Sequence, residues 1–90
     1  MAAEATGGNR LTVRYFAGAA AAAGRDDEVV ELPSGAHVAD LRETLGRLHP
    51  RLAPVLGVAG LLLDGVTATA PDHTLDGVQQ VDVLPPFAGG

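Results

Sequence analysis

Apolar and polar residues alternate near the start of the chain. Leu11, Val13 and Tyr15 are separated by single polar residues, which is the spacing of a strand with one buried face. We therefore predict a first strand over residues 11–16. A second apolar run over residues 29–32 ends at the turn sequence PSG and predicts a second strand.

The middle of the chain carries the helical patterns. Four apolar residues recur at intervals of three or four, with an acidic residue in the first turn and a proline just after the last turn. We predict the main helix over residues 37–49, with Val38, Leu41, Leu45 and Leu48 on one face. An alanine-rich stretch over 17–23 that ends at Gly24 is compatible with a short helix, and equally with a turn.

The second half of the chain is divided by turn residues. Residues 51–60 contain a proline and two glycines, so we predict an irregular connection with at most one helical turn. Asp64-Gly65 lies between short apolar runs and predicts a tight hairpin of strands 61–63 and 66–69. Asp76-Gly77 predicts a further turn before a last strand over 81–84.

This order of elements predicts the fold class. Two strands, one long helix and then short strands favour an α+β fold, in which the helix covers one face of a mixed sheet of four to five strands. The length of 90 residues allows a single domain. We expect a flexible N-terminal tail over 1–10, the folded domain over 11–86 and a flexible functional tail over 87–90.

Composition and charge exclude several classes of function. The chain has no cysteine, so it has no disulfide, thiolate nucleophile or cysteine metal site, and the cytoplasm is the expected compartment. The net charge is −5, and the six basic residues form no cluster that would bind nucleic acid. No apolar stretch is long enough to span a membrane.

The side chains offer no conventional catalytic centre. His37, His49 and His73 have no second ligand at the spacing of a metal site, and we expect no metal role for them. The acidic run 26–28 is interpreted as a solvated turn.

The C-terminal sequence LPPFAGG is the most informative segment. Pro85 and Pro86 cannot donate to a strand ladder, so they end the last strand and direct the chain away from the sheet. Gly89 and Gly90 carry no Cβ, which lets the backbone pass through a narrow channel in a partner. A terminal glycine pair arises by chance in roughly 2% of chains this rich in glycine.

These segments together resemble a known family. The strand LTVRYFA, the turn and helix LPSGAHVADLRETL, the Asp-Gly turn and the ending VDVLPPFAGG are similar to the MoaD/ThiS sulfur carriers, which share the β-grasp fold of ubiquitin. The ending PPFAGG resembles the molybdopterin synthase branch of that family more than the thiamine branch. The loop over residues 78–80 departs from the family pattern.

The resemblance implies a function for the chain end. It implies that the Gly90 carboxylate is adenylated by an E1-like partner, which uses ATP and Mg²⁺, and is then converted to a thiocarboxylate. The large subunit of molybdopterin synthase would use that sulfur to form the dithiolene of the molybdenum cofactor. The chain itself would bind no cofactor stably.

The tail residues would have different roles in this process. Gly89 and Ala88 would form the slim end of the tail, and the resemblance implies partner contacts for Phe87, Pro86, Pro85 and Leu84.

Three alternatives share parts of this interpretation. The chain could supply sulfur for thiamine or cysteine synthesis. It could be a ubiquitin-like modifier that is joined through Gly90 to lysines of other proteins. It could also be a binding module of the same fold, in which the two glycines are only a frayed end.

Overall fold

The computed structural model describes residues 8–68 and 70–85. Five strands form one sheet, and they are β1 Asn9–Tyr15, β2 Asp27–Leu32, β3 Gly60–Leu63, β4 Val66–Ala68 and β5 Gln80–Leu84. Three α-helices accompany them, and they are α1 Gly18–Ala23, α2 Val38–Leu48 and α3 Ala53–Leu56, with a 3₁₀ turn over Pro50–Leu52. The predicted α+β class with one main helix and a mixed sheet is confirmed.

The sheet has the strand order β2-β1-β5-β3-β4. The central strand β5 pairs in parallel with β1 and antiparallel with β3, and the remaining pairs are antiparallel. Asp64 and Gly65 have φ values of 49° and 86°, as the predicted hairpin turn between β3 and β4 requires. The Asp64 carboxylate also accepts hydrogen bonds from the backbone N–H groups of Gln79 and Gln80, so the hairpin is tied to the start of β5.

The main helix is confirmed, with Val38, Leu41 and Leu45 buried, but Leu48, predicted on the same face, is 53% exposed at its end. The main helix is flanked by His37 and His49, and the short alanine helix α1 ends at Gly24 in the left-handed conformation. The connection over 51–60 was predicted to hold at most one helical turn, and this is wrong, because the 3₁₀ turn runs directly into α3. Pro50 is the first residue of the 3₁₀ turn and Pro54 the second residue of α3, in first turns where a missing N–H costs little, while Leu52 and Leu56 are buried in the core.

The two faces of the sheet differ in character. One face packs against the helices through an aliphatic core, in which strand residues such as Val13, Val81 and Val83 are fully buried together with Leu41 of α2. Among the described residues, Tyr15 is the single aromatic side chain of this core. The alternate residues point to the other side. We call that side the open face, and its residues in the two central strands and just after β1 are Thr12, Arg14, Phe16, Gln80, Asp82 and Leu84.

A carboxylate fixes the end of α2 against the sheet. Glu28 lies in β2 and its side chain is only 11% exposed, so the interpretation of residues 26–28 as a solvated turn is wrong for this residue. It accepts a hydrogen bond from the Tyr15 hydroxyl, contacts His49 Nε2 at 2.5 Å and pairs with Arg25 at 2.9 Å. Burial by itself raises the pKa of Glu28, but these three partners outweigh burial and the pKa is lowered.

The turn after β1 is strained. Ala17 has φ 50° and ψ −125°, which is the first central position of a type II′ turn and a glycine conformation. The turn is closed by a hydrogen bond of 2.9 Å from the Ala19 N–H to the Phe16 carbonyl. A Cβ in this conformation costs on the order of 1–3 kcal/mol.

We expect the substitution Ala17→Gly to raise the free energy of unfolding by about 1 kcal/mol, because relief of strain exceeds the added chain entropy of glycine. Ala21→Gly is the matched control, since Ala21 is exposed within α1 and should lose about 0.5–1 kcal/mol. Urea denaturation measures whether each variant is more or less stable than the parent. A destabilised Ala17→Gly variant would show that the turn is not strained.

Glu28 should make stability depend on pH. The pKa of Glu28 in the fold lies below its ordinary value of 4.5, so its contribution is present above that value and is lost as the pH falls through the folded pKa. The difference in unfolding free energy between the parent and Glu28→Gln should therefore be largest near neutral pH and shrink in acid. Glu43→Gln, at an exposed ion pair with Arg47, should show no such change. A difference that is constant from neutral to acidic pH would contradict this role.

Candidate functional site at the end of the last strand

The functional tail begins where β5 ends. Leu84 is the last residue of β5, and Pro85 follows it as a half-buried residue outside the ladder. The sequence-predicted site residues Pro86, Phe87, Ala88, Gly89 and Gly90 lie outside the described residues. The structure therefore places the base of the tail and its surroundings.

Leu84 ends the middle strand of the sheet, and Pro85 follows it directly. Leu84 is opposite Gly60 of β3 in the register, and Val83 is fully buried while Leu84 is half-buried. The prediction that Leu84 points away from the core side of Val83 is consistent with this alternation. The tail thus starts from the centre of the sheet, on a strand that is paired on both sides.

The end of β1 lies beside the base of the tail, because parallel strands end at the same edge. The Phe16 N–H donates a hydrogen bond of 3.2 Å to the Val83 carbonyl, which joins the strained turn to the last residues of β5. The Phe16 ring is 36% exposed. An open depression of about 380 Å³ lies along Phe16 and Ala17 and is bordered by Asp26 and Asp27.

An ion pair occupies the open face next to this edge. Arg14 and Asp82 are register partners, and the guanidinium binds the carboxylate in two places, Nε to Oδ1 at 2.8 Å and Nη2 to Oδ2 at 3.1 Å. The hydrogen bonds to Asp82 raise the pKa of Arg14, so the guanidinium remains charged. Sequence analysis missed this pair because its members are 68 positions apart, although two charged residues at outward strand positions were visible.

The histidines serve the helix ends and their connections. The His37 N–H donates to the Asp40 carboxylate at the start of α2, and His49 meets Glu28 at its end. The His73 carbonyl accepts a hydrogen bond from the Val38 N–H. In residues 8–68 and 70–85, no three histidine or carboxylate side chains are grouped so that they could hold a metal ion.

No helix in the described part of the chain is both long enough and apolar enough to cross a membrane.

Comparisons with known proteins agree with this geometry. The ThiS family model matches residues 13–90. The molybdopterin synthase sulfur carrier subunit of Chlamydomonas reinhardtii is 30% identical over 82 residues, which cover 90% of this chain and 99% of that protein.

Two solved structures have the same fold. The molybdopterin converting factor subunit 1 of Pyrococcus furiosus superposes with a TM-score of 0.74 at 27% identity, over 88% of this chain and 99% of that one. SAMP1 of Haloferax volcanii has a TM-score of 0.75 at 26% identity, over 91% of this chain and all of that one. The β-grasp prediction is confirmed, and the chain belongs to the ThiS/MoaD family of ubiquitin-like sulfur carriers.

Proposed function

We propose that this chain is the sulfur carrier subunit of molybdopterin synthase and that it carries sulfur as a thiocarboxylate on Gly90. The observation that supports this most is the position of Leu84 and Pro85, from which the tail starts, at the end of the central strand of the sheet. The similarity to the Chlamydomonas sulfur carrier subunit extends over nearly the whole of both chains. The product would be the dithiolene of the molybdenum cofactor.

The chemistry requires activation by a partner. A free carboxylate is a poor electrophile, so a Gly90 oxygen attacks the α-phosphorus of ATP and pyrophosphate leaves. A sulfide equivalent then attacks the carbonyl carbon of the acyl adenylate and AMP leaves, which produces the thiocarboxylate. The E1-like partner holds ATP and Mg²⁺ for this step, and the chain contributes only its terminal group.

The tail residues have different roles in this chemistry. Gly90 supplies the reacting carboxylate. Gly89 and Ala88 have small or no side chains, so the end of the tail is narrow enough to enter a channel in the partner. Pro86 continues the exit that Pro85 starts, and Phe87 anchors the tail in the partner, as aromatic side chains do at interface centres. These roles would be used by both the E1-like enzyme and the large synthase subunit.

A second candidate function is a ubiquitin-like modifier. The similarity to SAMP1, a small archaeal modifier protein, favours this alternative. The six basic residues of the chain are all arginines, at positions 10, 14, 25, 42, 47 and 51, so no lysine ammonium is present to accept a second copy. Conjugates would therefore carry single copies rather than lysine-linked chains.

One experiment separates the two functions. The chain is incubated with an E1-like enzyme, ATP, Mg²⁺ and a sulfur source, and its intact mass is then measured. Replacement of one oxygen by sulfur on the free chain supports the carrier. Covalent adducts on the lysines of other proteins, with no thiocarboxylate on the free chain, would support the modifier and overturn our proposal.

We expect removal of Gly90, or addition of residues after it, to abolish sulfur loading and leave the fold intact, because the reacting carboxylate is displaced and no core residue changes. Intact mass measures loading, and thermal melting measures the fold. The same extension placed before Met1 is the control and should load normally. Full sulfur transfer by a chain with a blocked C-terminus would contradict the carrier function.

Gly89→Val should slow loading and transfer by about a hundred-fold, because the added side chain displaces the terminal carbon by up to about an ångström. Gly89→Ala adds only a Cβ and should lie between the parent and the valine variant. Single-turnover rates measure both steps, and a pull-down on the large subunit should show only a partial loss of binding. Unchanged rates in both variants would mean that a slim penultimate residue is not required.

A further inference from the structure

The Arg14–Asp82 pair lies at the centre of the open face. Arg14 of β1 and Asp82 of β5 are directly opposite each other, and Leu62 of β3 is opposite Asp82 on its other side. Asp82 is only 7% exposed even though no helix covers this face in the described residues. The pair is flanked by Leu62 on β3 and by Asp27, the register partner of Arg14 on β2.

Asp82 binds only some of the N–H donors of the Arg14 guanidinium. An arginine has five N–H donors, and the bidentate contact uses two of them. Within residues 8–68 and 70–85, no acceptor takes the other three, and the Arg14 side chain is 46% exposed. Three donors therefore have no acceptor among the described residues, on a side chain that is half-exposed.

The guanidinium is also held in place. Its Cζ lies 5.4 Å from the centroid of the Phe16 ring, in cation–π contact, while Asp82 fixes its other side. A donor group held on two sides loses little entropy when a ligand binds it. Arg14 is therefore preorganised for a further acceptor beyond the described residues.

The pair is continuous with the base of the tail. Asp82 is three residues before Pro85, and Phe16 is hydrogen-bonded to Val83. A partner that takes the tail from this edge will cover Phe16, Leu84 and the adjoining Arg14–Asp82 pair. Covering three charged N–H donors with an apolar surface would leave them buried without acceptors, which is costly.

We infer that Arg14, positioned by Asp82, is a specificity-determining residue for the large synthase subunit, which presents a carboxylate or carbonyl oxygen opposite it. This inference rests on the proposed function, since it takes the large subunit as the partner that covers this face. A partner with an apolar surface at that point is rejected, and the pair therefore selects between partners that would accept the same tail.

The test replaces the whole pair. The double variant Arg14→Leu, Asp82→Leu leaves no unpaired charge, so we expect a melting temperature close to that of the parent. Its Kd for the large subunit should rise about ten-fold to a hundred-fold, because charge-assisted hydrogen bonds are lost. The single-turnover transfer rate at saturating large subunit should stay unchanged, since the tail is intact.

A matched ion pair on the same face provides the control. Arg10 and Glu31 are register partners at the opposite end of β1, with side chains 74% and 72% exposed. The double variant Arg10→Leu, Glu31→Leu should bind the large subunit as the parent does. The exchange Arg14→Asp, Asp82→Arg keeps a pair but moves the donors to β5, and it should weaken binding while the fold is retained.

The outcomes are distinguishable from those of the proposed function. A parent chain that is never loaded with sulfur, or that does not bind the large subunit, overturns the proposed function and this inference with it. If the parent loads and binds, and the Arg14, Asp82 double variant binds equally tightly, only the inference is overturned. Equal weakening by the Arg10, Glu31 control would also overturn it.

Discussion

The parallel pairing of β1 with β5 is the constraint on which the rest of the structure depends. It joins the first strand to the last, from Thr12 opposite Gln80 to Tyr15 opposite Val83, and places β5 in the middle of the sheet. Because the two strands run in the same direction, the strained turn after β1 and the base of the tail meet at one edge. The proposed reactive end of the chain therefore follows a strand that is paired on both sides.

The packing of the helices on one face determines what the other face can do. Leu41 and Leu45 of α2 are fully buried against the inward residues of the strands, and the Glu28 network holds the end of that helix beside β2. Stability thus comes from one side of the sheet. The residues of the open face are released from core packing, and a charged pair can be placed there at little cost to the fold.

Sequence patterns predicted what depends on neighbours along the chain. The strand alternation around Val13, the helix face of Leu41 and the hairpin at Asp64 are all local, and the structure has them at the predicted places. Contacts between distant positions were not predictable in this way. Glu28 was interpreted as solvated because its partner His49 is 21 positions away, and the role of Arg14 depends on a strand pairing that no local pattern reveals.

The proposed reacting group sets a limit on how partners can recognise this protein. A main-chain carboxylate after two glycines is chemically the same in every carrier that ends this way, so it cannot by itself distinguish one partner from another. Discrimination must then come from side chains that are covered together with the tail. In this fold, the side chains in that position are those of the open face near Phe16 and Leu84, and Arg14 is the one among them whose donors require a specific atom in the partner.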